Sequence, residues 1–378
     1  MEVLHEAGID IPIFVGGAAL TEKFTVNKIE PAYKNNIVIY SRDAMTALAD
    51  LNKMIDEKKF EEFKEYLQKR RDLVTIKDAK KLEQLKVKPT VSDIKDADGT
   101  FDFSKIELLK YSFEKIYKPQ TLNKQIITNI KAKDVFPFIN LQMLIGKHLG
   151  MKWIVNNLIE KQDPRTIKLY NEILDIIENG DEYFDIKAIY KFFPVRRKAG
   201  ERKEDFKIEV LSDDLSTVLE TFDFPRQKYG QYLSLNDYVN PDGIDYIGFF
   251  VATAGEKSRL VSNELKEKGE FYRGHIVNSV GLELAEATSE YIHKMMRQDV
   301  GIIDKDISLN EILNAQYQGN RYSFGYPACP DLSDQRKLFN LLKPERYGIS
   351  LTEEFMMYPE ATVSAIVFSQ PFCKYFNM

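Results

Sequence analysis

The stretch Arg321-Tyr-Ser-Phe-Gly325-Tyr326-Pro-Ala-Cys329-Pro330 decides how the rest of this 378-residue sequence is interpreted. Gly325 permits backbone angles that other residues avoid, and each proline fixes φ and removes a hydrogen-bond donor. We expect a rigid, irregular segment that holds its shape without a strand ladder and leaves backbone groups free for a ligand. The guanidinium of Arg321 can bind a carboxylate or a phosphate through two donors. An ordinary surface loop is the alternative, because glycine and proline are common loop residues.

Composition and charge narrow the class of protein. A hydrophobic content of 44% and a charged content of 29% are ordinary for a globular protein. The net charge of −5 argues against a non-specific nucleic-acid binder. Two cysteines, Cys329 and Cys373, are too few for a disulfide framework or a cysteine-rich metal site, which suits a reducing cytoplasm. No apolar run is long enough to span a membrane, and no signal peptide is recognisable.

The N-terminal part follows the pattern of a parallel α/β sheet. The apolar strand 11–15 leads into Gly16-Gly17-Ala18, and a helix, a second strand at 36–40 and an amphipathic helix at 43–54 follow. Ligands of such sheets bind beyond the carboxyl ends of strands, so these three small residues are a candidate cofactor contact, and a tight turn is an equally good explanation. The stretch is too short for a doubly wound sheet.

We therefore expect residues 1–58 to be the C-terminal remnant of a Rossmann-like domain. A free-standing nucleotide-binding fold is the weaker alternative. Residues 59–103 are expected to be a linker. Charged residues three and four positions apart favour a solvated helix to about residue 88, and turn-forming residues favour an extended stretch over 89–103.

Residues 104–378 have the composition of one large mixed domain. Because no regular βαβ repeat connects its predicted elements, we expect an α+β fold with a mainly antiparallel sheet flanked by helices. Asp134 is expected to cap a helix that begins near Pro137. The predicted strands are 186–193, ending at Pro194, then 206–211, 245–253 as a central strand, and 361–368. The predicted helices run through Leu149, over 164–179 and over 277–297.

The Arg321-x-x-x-Gly325-Tyr326-Pro-Ala-Cys-Pro330 pattern resembles the adenosylmethionine-binding motif in the activation domain of cobalamin-dependent methionine synthases. Ile11-Pro-x-x-x-Gly16-Gly17-Ala18 resembles the last block of the family's cobalamin-binding domain, so the resemblance covers nearly the whole chain. Four further blocks agree in order and spacing: Asp134-Val-Phe-Pro-Phe138, Leu284-Ala-Glu286-Ala with Tyr291-Ile-His293, Leu351-Thr-Glu-x-Phe355-x-Met357, and Phe368-Ser-x-Pro371.

The resemblance implies a binding site for S-adenosyl-L-methionine. Arg321 is expected to bind the ligand's carboxylate and Asp134 its ammonium, although a helix cap is the ordinary role of such an aspartate. Ser323 and Gly325 are expected to contact the ligand, with the backbone around Ser323 facing the adenine. Tyr326 is expected to lie near the sulfonium.

Two further positions follow from the same resemblance. Glu286 is expected to orient Tyr326 or to face the sulfonium. A tyrosine of the family near the last strand corresponds here to Val367, where any contact would have to run through the backbone. No catalytic acid or base is expected, because methyl transfer from a sulfonium is a direct displacement that needs positioning.

The family's activity is a repair reaction. One electron from flavodoxin or a flavin reductase, and a methyl group from S-adenosylmethionine, convert inactive cob(II)alamin to methylcobalamin. The complete enzyme can then transfer methyl from 5-methyltetrahydrofolate to homocysteine. The resemblance implies that this chain is the cytoplasmic C-terminal reactivation region, with the enzyme's own cobalamin domain as its partner and no membrane or nucleic acid.

The departures from the family limit this expectation. The Asp-x-His-x-x-Gly block that carries the lower cobalt ligand is absent, as are the domains that bind methyltetrahydrofolate and, with zinc, homocysteine. Cobalamin is therefore expected to be held mostly by segments outside this chain, which should not make methionine by itself. A non-catalytic adenosylmethionine-binding module, or an accessory subunit acting on a separate corrinoid protein, is the alternative.

Overall fold

The computed structural model describes residues 2–16, 20–41, 44–85, 113–151, 153–199, 206–227, 231–304 and 307–377. It divides the chain into two compact units, Met1–Thr90 and Val91–Met378. The extended stretch predicted over 89–103 lies outside the described residues, so the domain limits given above remain predictions.

The first unit contains the predicted parallel strand pair. Its helices and strands are α1 (Glu2–Glu6), β1 (Ile13–Gly16), α2 (Glu22–Phe24), β2 (Val38–Ser41), α3 (Ala44–Ile55) and α4 (Glu57–Leu85). Strands β1 and β2 run parallel, with Ile13 opposite Val38 and Gly16 opposite Ser41. A strand, a helical connection and a parallel strand are the elements of the α/β pattern that the sequence indicates.

Helix α4 is not the fully solvated helix that its charge density predicts. Phe63 and Leu67 are only 2% and 6% exposed, and they pack with Ile39 of β2. Residues four positions apart lie on the same face of a helix, so these two side chains form a narrow apolar stripe between charged neighbours. The first half of α4 therefore contributes to the core of the first unit.

The second unit is built on an antiparallel sheet. Its strands are β3 (Gln125–Ile127), β4 (Lys187–Ala199), β5 (Phe206–Leu211), β6 (Val218–Phe222), β7 (Asp245–Thr253), β8 (Asn320–Tyr322), β9 (Ser350–Leu351), β10 (Met357–Tyr358) and β11 (Thr362–Phe368). Its helices are α5 (Ala132–Val135), α6 (Val155–Glu160), α7 (Pro164–Glu178), α8 (Gly180–Tyr183), α9 (Lys257–Glu267), α10 (Phe271–Asp299), α11 (Leu309–Leu313) and α12 (Gln335–Leu342).

Seven described strands of this unit form one sheet. Their order is β6-β5-β4-β7-β11-β8, β3 pairs with β4 outside that path, and β9 and β10 form a separate pair. Every pairing in the sheet is antiparallel. The α+β fold class is thereby confirmed. Strand β7 has the predicted limits and lies between β4 and β11, which confirms its central place.

Strand β4 does not end at Pro194, as the sequence predicts, but continues to Ala199. Pro194 pairs with Tyr246 of β7 on one side. On the other side, β3 pairs with 188–190 and β5 with 195–199, so Pro194 has no partner strand there. A proline is tolerated within a strand where no ladder bond requires its missing N–H.

Two hydrophobic clusters cover the two faces of the sheet. Ala188 and Tyr190 of β4 belong to one cluster, and Ile189 between them belongs to the other. Phe249 and Phe250 of β7 divide in the same way. Successive residues of a strand point to opposite faces of the sheet. Because both faces are buried here, both sets of residues are apolar, and these strands appear in the sequence as continuous apolar runs.

Helix α10 packs on the first of these faces and is longer than the predicted 277–297. Its close neighbour is α9, and a Cβ added at Gly281 would lie 2.5 Å from the Ser258 Oγ, so the glycine permits the close approach of the two helices. α10 and α4 have 29 residues each, yet no described helix is both long and apolar enough to cross a membrane.

Asp134 does not cap a helix that begins near Pro137. The helix begins at Ala132, and Asp134 lies in its first turn, where its carboxylate accepts a hydrogen bond from the Lys131 backbone N–H at 3.3 Å. The residues that follow, 136–138, form a short 3-10 turn. Asp134 thus caps the helix from inside its first turn, and it does not occupy the position that precedes the helix.

Candidate functional site

The Arg321 segment begins in the sheet rather than as an irregular loop. Arg321 belongs to β8 and lies opposite Val367 of β11. Three residues are too few to give a recognisable alternating pattern, which is why the sequence does not reveal the strand. The ladder therefore fixes the backbone of Arg321, and it also explains why Val367 is buried.

A tight turn follows the strand. The Gly325 backbone N–H donates to the Cys329 carbonyl at 2.9 Å, and the Cys329 N–H donates to the Tyr326 carbonyl at 2.9 Å. The Cys329 Sγ also donates to the Ser323 carbonyl at 2.8 Å. The sequence predicts that the backbone groups of this segment are free for a ligand, but several of them are bonded within the turn. Burial raises the pKa of the Cys329 thiol to about 12, so it remains protonated at neutral pH.

Replacing Gly325 by alanine is expected to lower the free energy of unfolding. Its φ is +86°, in the left-handed region, and an added Cβ would lie 3.2 Å from the Leu332 Cδ1. Left-handed backbone costs a residue with a Cβ about 1–2 kcal/mol. Gly348→Ala is a matched control, because its φ is +79° and the added Cβ meets no atom within 4 Å. In urea denaturation, the free energy of unfolding should fall for Gly325→Ala by at least as much as for Gly348→Ala. An unchanged denaturation midpoint for Gly325→Ala would contradict the left-handed backbone described at this position.

Beside this turn lies a cleft of about 340 Å³. Its walls come from three parts of the second unit: α10, the segment 321–329 and the C-terminal segment 375–377. Arg321, Ser323, Tyr326 and Glu286 all line it, so the structure brings together four of the residues that the sequence singles out. Tyr326 is 64% exposed and is accessible to a ligand.

Arg321 is held by a carboxylate that the sequence analysis misses. Its Nη2 donates to the Glu290 Oε1 at 2.6 Å, and the Tyr317 hydroxyl donates to the Glu290 Oε2 at 3.2 Å. Burial disfavours the charged guanidinium, but Glu290 and its neighbours outweigh this effect and raise the pKa of Arg321. The Arg321 Nε is buried and has no partner among the described residues, so the ion pair leaves donor capacity unused.

Glu286 lies one helical turn before Glu290 on α10 and faces the cleft. The Glu286 side chain is exposed to water at the cleft, although many protein atoms lie around it. Burial raises the pKa of Glu286, Arg321 counteracts the rise, and Glu283 and Glu290 add to it. No ion pair or hydrogen bond joins its carboxylate to a described residue. The cleft thus contains a fixed cation and an unpaired carboxylate a short distance apart.

The C-terminal segment contributes Tyr375, which the sequence analysis also misses. Its ring meets the ring of Tyr322 edge-on, with centroids 5.3 Å apart. The Tyr322 hydroxyl donates to the Lys374 carbonyl at 2.8 Å, and the Asn320 side chain donates to the Cys373 carbonyl at 2.8 Å. Strand β8 therefore holds this irregular segment in place through side-chain donors, and the segment presents an aromatic ring to the cleft.

Asp134 is not among the residues that line this cleft. It is exposed on α5, a helix that packs against α10. The structure therefore places it on an element next to the one that carries Glu286, with its carboxylate turned to the Lys131 N–H.

The N-terminal candidates lie in the first unit. Gly17 and Ala18 fall outside the described residues. Gly16 ends β1, and a Cβ added there would lie 1.9 Å from the Ser41 carbonyl oxygen. Close contact between two strands is thus a sufficient reason for a glycine at this position.

His293 forms part of the support behind Arg321. It is fully buried on α10, and its ring meets the Tyr317 ring edge-on at 5.2 Å. Burial, and then the charges of Arg297 and Arg321, lower the pKa of this histidine, so it stays neutral. Within the described ranges, no group of three or more histidine, cysteine or acidic residues is arranged to hold a metal ion.

Comparisons with known proteins agree with the fold. The family model described as "Vitamin B12 dependent methionine synthase, activation domain" matches residues 125–378. The methionine synthases of Mycobacterium tuberculosis (strain ATCC 25618 / H37Rv) and Mycobacterium leprae (strain TN) are each 25% identical over the whole of this chain. The chain spans 33% of the length of each of these relatives.

A solved structure has the same fold. The crystal structure of the MetH reactivation domain bound to AdoHcy superposes with a TM-score of 0.63 and 23% sequence identity. The match covers 71% of this chain and 86% of the solved one.

Proposed function

This chain belongs to the family of vitamin B12 dependent methionine synthase activation domains, and from this premise we propose that its cleft binds S-adenosylmethionine. The observation that carries the proposal is the juxtaposition of Arg321 and Glu286 at one cleft. A ligand with an amino acid group and a sulfonium presents both an anion and cations, and it requires protein groups of both signs. A phosphate ligand would need cations alone.

The protein groups have distinct tasks in this proposal. Arg321 binds the carboxylate, because a guanidinium held by Glu290 still has donors to give. Glu286 and the ring of Tyr326 face the sulfonium. Ser323 bounds the part of the cleft that takes the adenine, and Tyr375 supplies a further aromatic surface. Gly325 does not line the cleft, and its task in this proposal is to shape the turn beside it. Asp134 binds the ammonium from the neighbouring helix α5, as the family resemblance implies.

The methyl acceptor in this proposal is a cobalamin that the cobalamin domain of the same enzyme carries. Gly16, Gly17 and Ala18 remain a proposed contribution to a site that other segments complete. When bound, the cobalamin supplies the nucleophile for the methyl group. The cleft holds the sulfonium and keeps its methyl group accessible.

The wider activity follows as part of the same proposal. The chain acts as the C-terminal reactivation region of a methyltransferase of methionine biosynthesis, with flavodoxin or a flavin reductase as the electron donor. The cytoplasm is the compartment that we propose. An accessory module acting on a separate corrinoid protein would use the same cleft, and binding alone does not distinguish it.

Isothermal titration calorimetry with S-adenosylmethionine tests the proposal. We expect saturable heat with one site per chain. The absence of heat at protein and ligand concentrations well above micromolar contradicts it. S-adenosylhomocysteine should compete for the same site, because it retains the adenine and the amino acid group.

Asp134→Asn tests the ammonium contact. Both S-adenosylmethionine and S-adenosylhomocysteine carry the ammonium, so we expect their affinities to fall alike, by roughly tenfold for one charge-assisted hydrogen bond. The asparagine oxygen can still accept from the Lys131 N–H, so thermal stability should hardly change. Unchanged affinity for both ligands would restrict Asp134 to its capping role.

A further inference from the structure

Among the described residues, the charges around the cleft do not balance. Two carboxylates, Glu286 and Glu290, lie near one guanidinium, that of Arg321. Glu290 is paired with Arg321 at 2.6 Å, which leaves the carboxylate of Glu286 in excess. One negative charge therefore remains uncompensated at the wall of the cleft.

The other polar groups next to this cluster do not alter the balance. Burial raises the pKa of Tyr317 and of Tyr375, so both hydroxyls are neutral. His293 is neutral for the opposite reason, because burial lowers its pKa. Arg297 is paired with Asp304. Glu283 is bonded to His148 at 3.1 Å and does not line the cleft.

We propose that the cleft distinguishes its substrate from its product by charge, with Glu290 cancelling Arg321 so that Glu286 favours a sulfonium over a thioether. This inference rests on the proposed function. It adds Glu290 as a residue that determines specificity without lining the cleft.

The substrate and the product differ in net charge, and this is the difference to which the arrangement responds. S-adenosylmethionine has a carboxylate, an ammonium and a sulfonium, and so carries one net positive charge. When the methyl group leaves for the cobalt nucleophile, the electron pair of the breaking carbon–sulfur bond stays on sulfur. The product is a thioether whose carboxylate and ammonium cancel. A cleft with one excess negative charge binds the first ligand more tightly than the second.

The consequence is that methyl transfer itself weakens binding. The attraction between Glu286 and the ligand is lost when the sulfonium is converted to a thioether, so the product dissociates more readily than the substrate. If Glu290 were neutral, Arg321 would cancel Glu286, and this difference between the ligands would largely disappear. The ion pair behind the cleft is therefore as important for selectivity as the carboxylate that faces the ligand.

Calorimetric dissociation constants for both ligands, measured on the full chain, test the inference. Glu290→Gln keeps an oxygen that can accept from Arg321 but removes the charge. We expect the preference for S-adenosylmethionine over S-adenosylhomocysteine to fall about tenfold, a modest effect for one unit charge at the edge of a protein cleft. Glu286→Gln, which alters an exposed side chain, should reduce the preference by a similar factor.

Glu209→Gln is the matched control. Glu209 is buried and bonded to Arg196 at 2.7 Å and to Lys198 at 2.9 Å, and it lies on β5, outside the cleft lining. The same chemical change there should leave the preference unchanged even if stability falls. In the wild-type chain the preference should also decrease as the salt concentration rises, because screening weakens charge selection.

The outcomes separate the inference from the proposed function. Binding of S-adenosylmethionine with an unaltered preference in both Glu290→Gln and Glu286→Gln overturns the charge mechanism and leaves the proposed function intact. Equal weakening of both ligands in Glu290→Gln overturns it too, because that result assigns Glu290 only the task of positioning Arg321. If the wild-type chain binds neither ligand, the proposed function itself fails.

Discussion

Replacing Arg321 by alanine is expected to weaken S-adenosylmethionine binding by a hundredfold or more. Two charge-assisted hydrogen bonds to the ligand's carboxylate are lost, each worth about 1.5–3 kcal/mol. Because 1.4 kcal/mol corresponds to about tenfold in affinity, the combined loss exceeds about a hundredfold. Arg321→Lys should recover only part of it, since an ammonium is a point charge without the guanidinium's fork of donors.

The same substitution is expected to destabilise the protein. Glu290 is 9% exposed, and Arg321 is its ion-pair partner. Removing one partner of a buried pair leaves an uncompensated charge and typically costs about 3–5 kcal/mol. Chemical denaturation of Arg321→Ala should show a loss of this size.

A double variant separates the two effects. Arg321→Ala combined with Glu290→Gln removes the unpaired charge, so we expect much of the lost stability to return while binding remains weak. Binding by either variant that equals the wild type removes Arg321 from the site. If Arg321→Ala alone is as stable as the wild type, Arg321 and Glu290 do not form the buried ion pair described above.

Phe324→Ala is expected to have the second large effect, a loss of about 3–5 kcal/mol in the free energy of unfolding. Phe324 is 5% exposed and stacks on Phe222 of β6, with ring centroids 6.1 Å apart. It belongs to the cluster that also contains Tyr322 and Cys329, the residues on either side of the turn. The phenyl ring therefore anchors the segment 321–329 to the sheet.

Affinity should fall together with stability in Phe324→Ala, because the backbone that carries Ser323 and Gly325 loses its anchor. Thermal denaturation and calorimetry measure the two quantities. Phe271→Ala is the control. Phe271 is 67% exposed at the start of α10, so the same truncation there should cost less than about 0.5 kcal/mol. Equal losses for the two variants would contradict the packing described for Phe324.

The sequence predicts those elements whose pattern is long and strong. Strand β7 is found with its predicted limits, since a mostly apolar run of nine residues without helical spacing leaves little alternative. The three residues of β8 carry no such pattern, and tertiary pairing with β11 alone determines that they form a strand. At Pro194 the sequence-based prediction fails in the opposite way, because a clear local signal ends the strand too early. A local rule ends β4 there, but the arrangement of neighbouring strands permits the proline.

The candidate site shows the same division. Arg321, Glu286, Ser323 and Tyr326 are gathered at one cleft, and the motif and the family resemblance are sufficient to find them. Glu290 is recognisable in principle, because it follows Glu286 by four residues and so lies on the same face of α10. Tyr375 is not recognisable, because the hydrogen bonds that hold its segment come from β8, more than fifty residues earlier in the chain.

A crystal structure of the chain with S-adenosylmethionine tests the central claim most directly. We predict ligand density in the cleft between α10 and the segment 321–329. The ligand's carboxylate should lie within hydrogen-bonding distance of the Arg321 guanidinium, and its sulfonium should face Glu286 and Tyr326. Ligand density at another place on the protein, or a cleft without ligand at saturating concentration, would contradict the account.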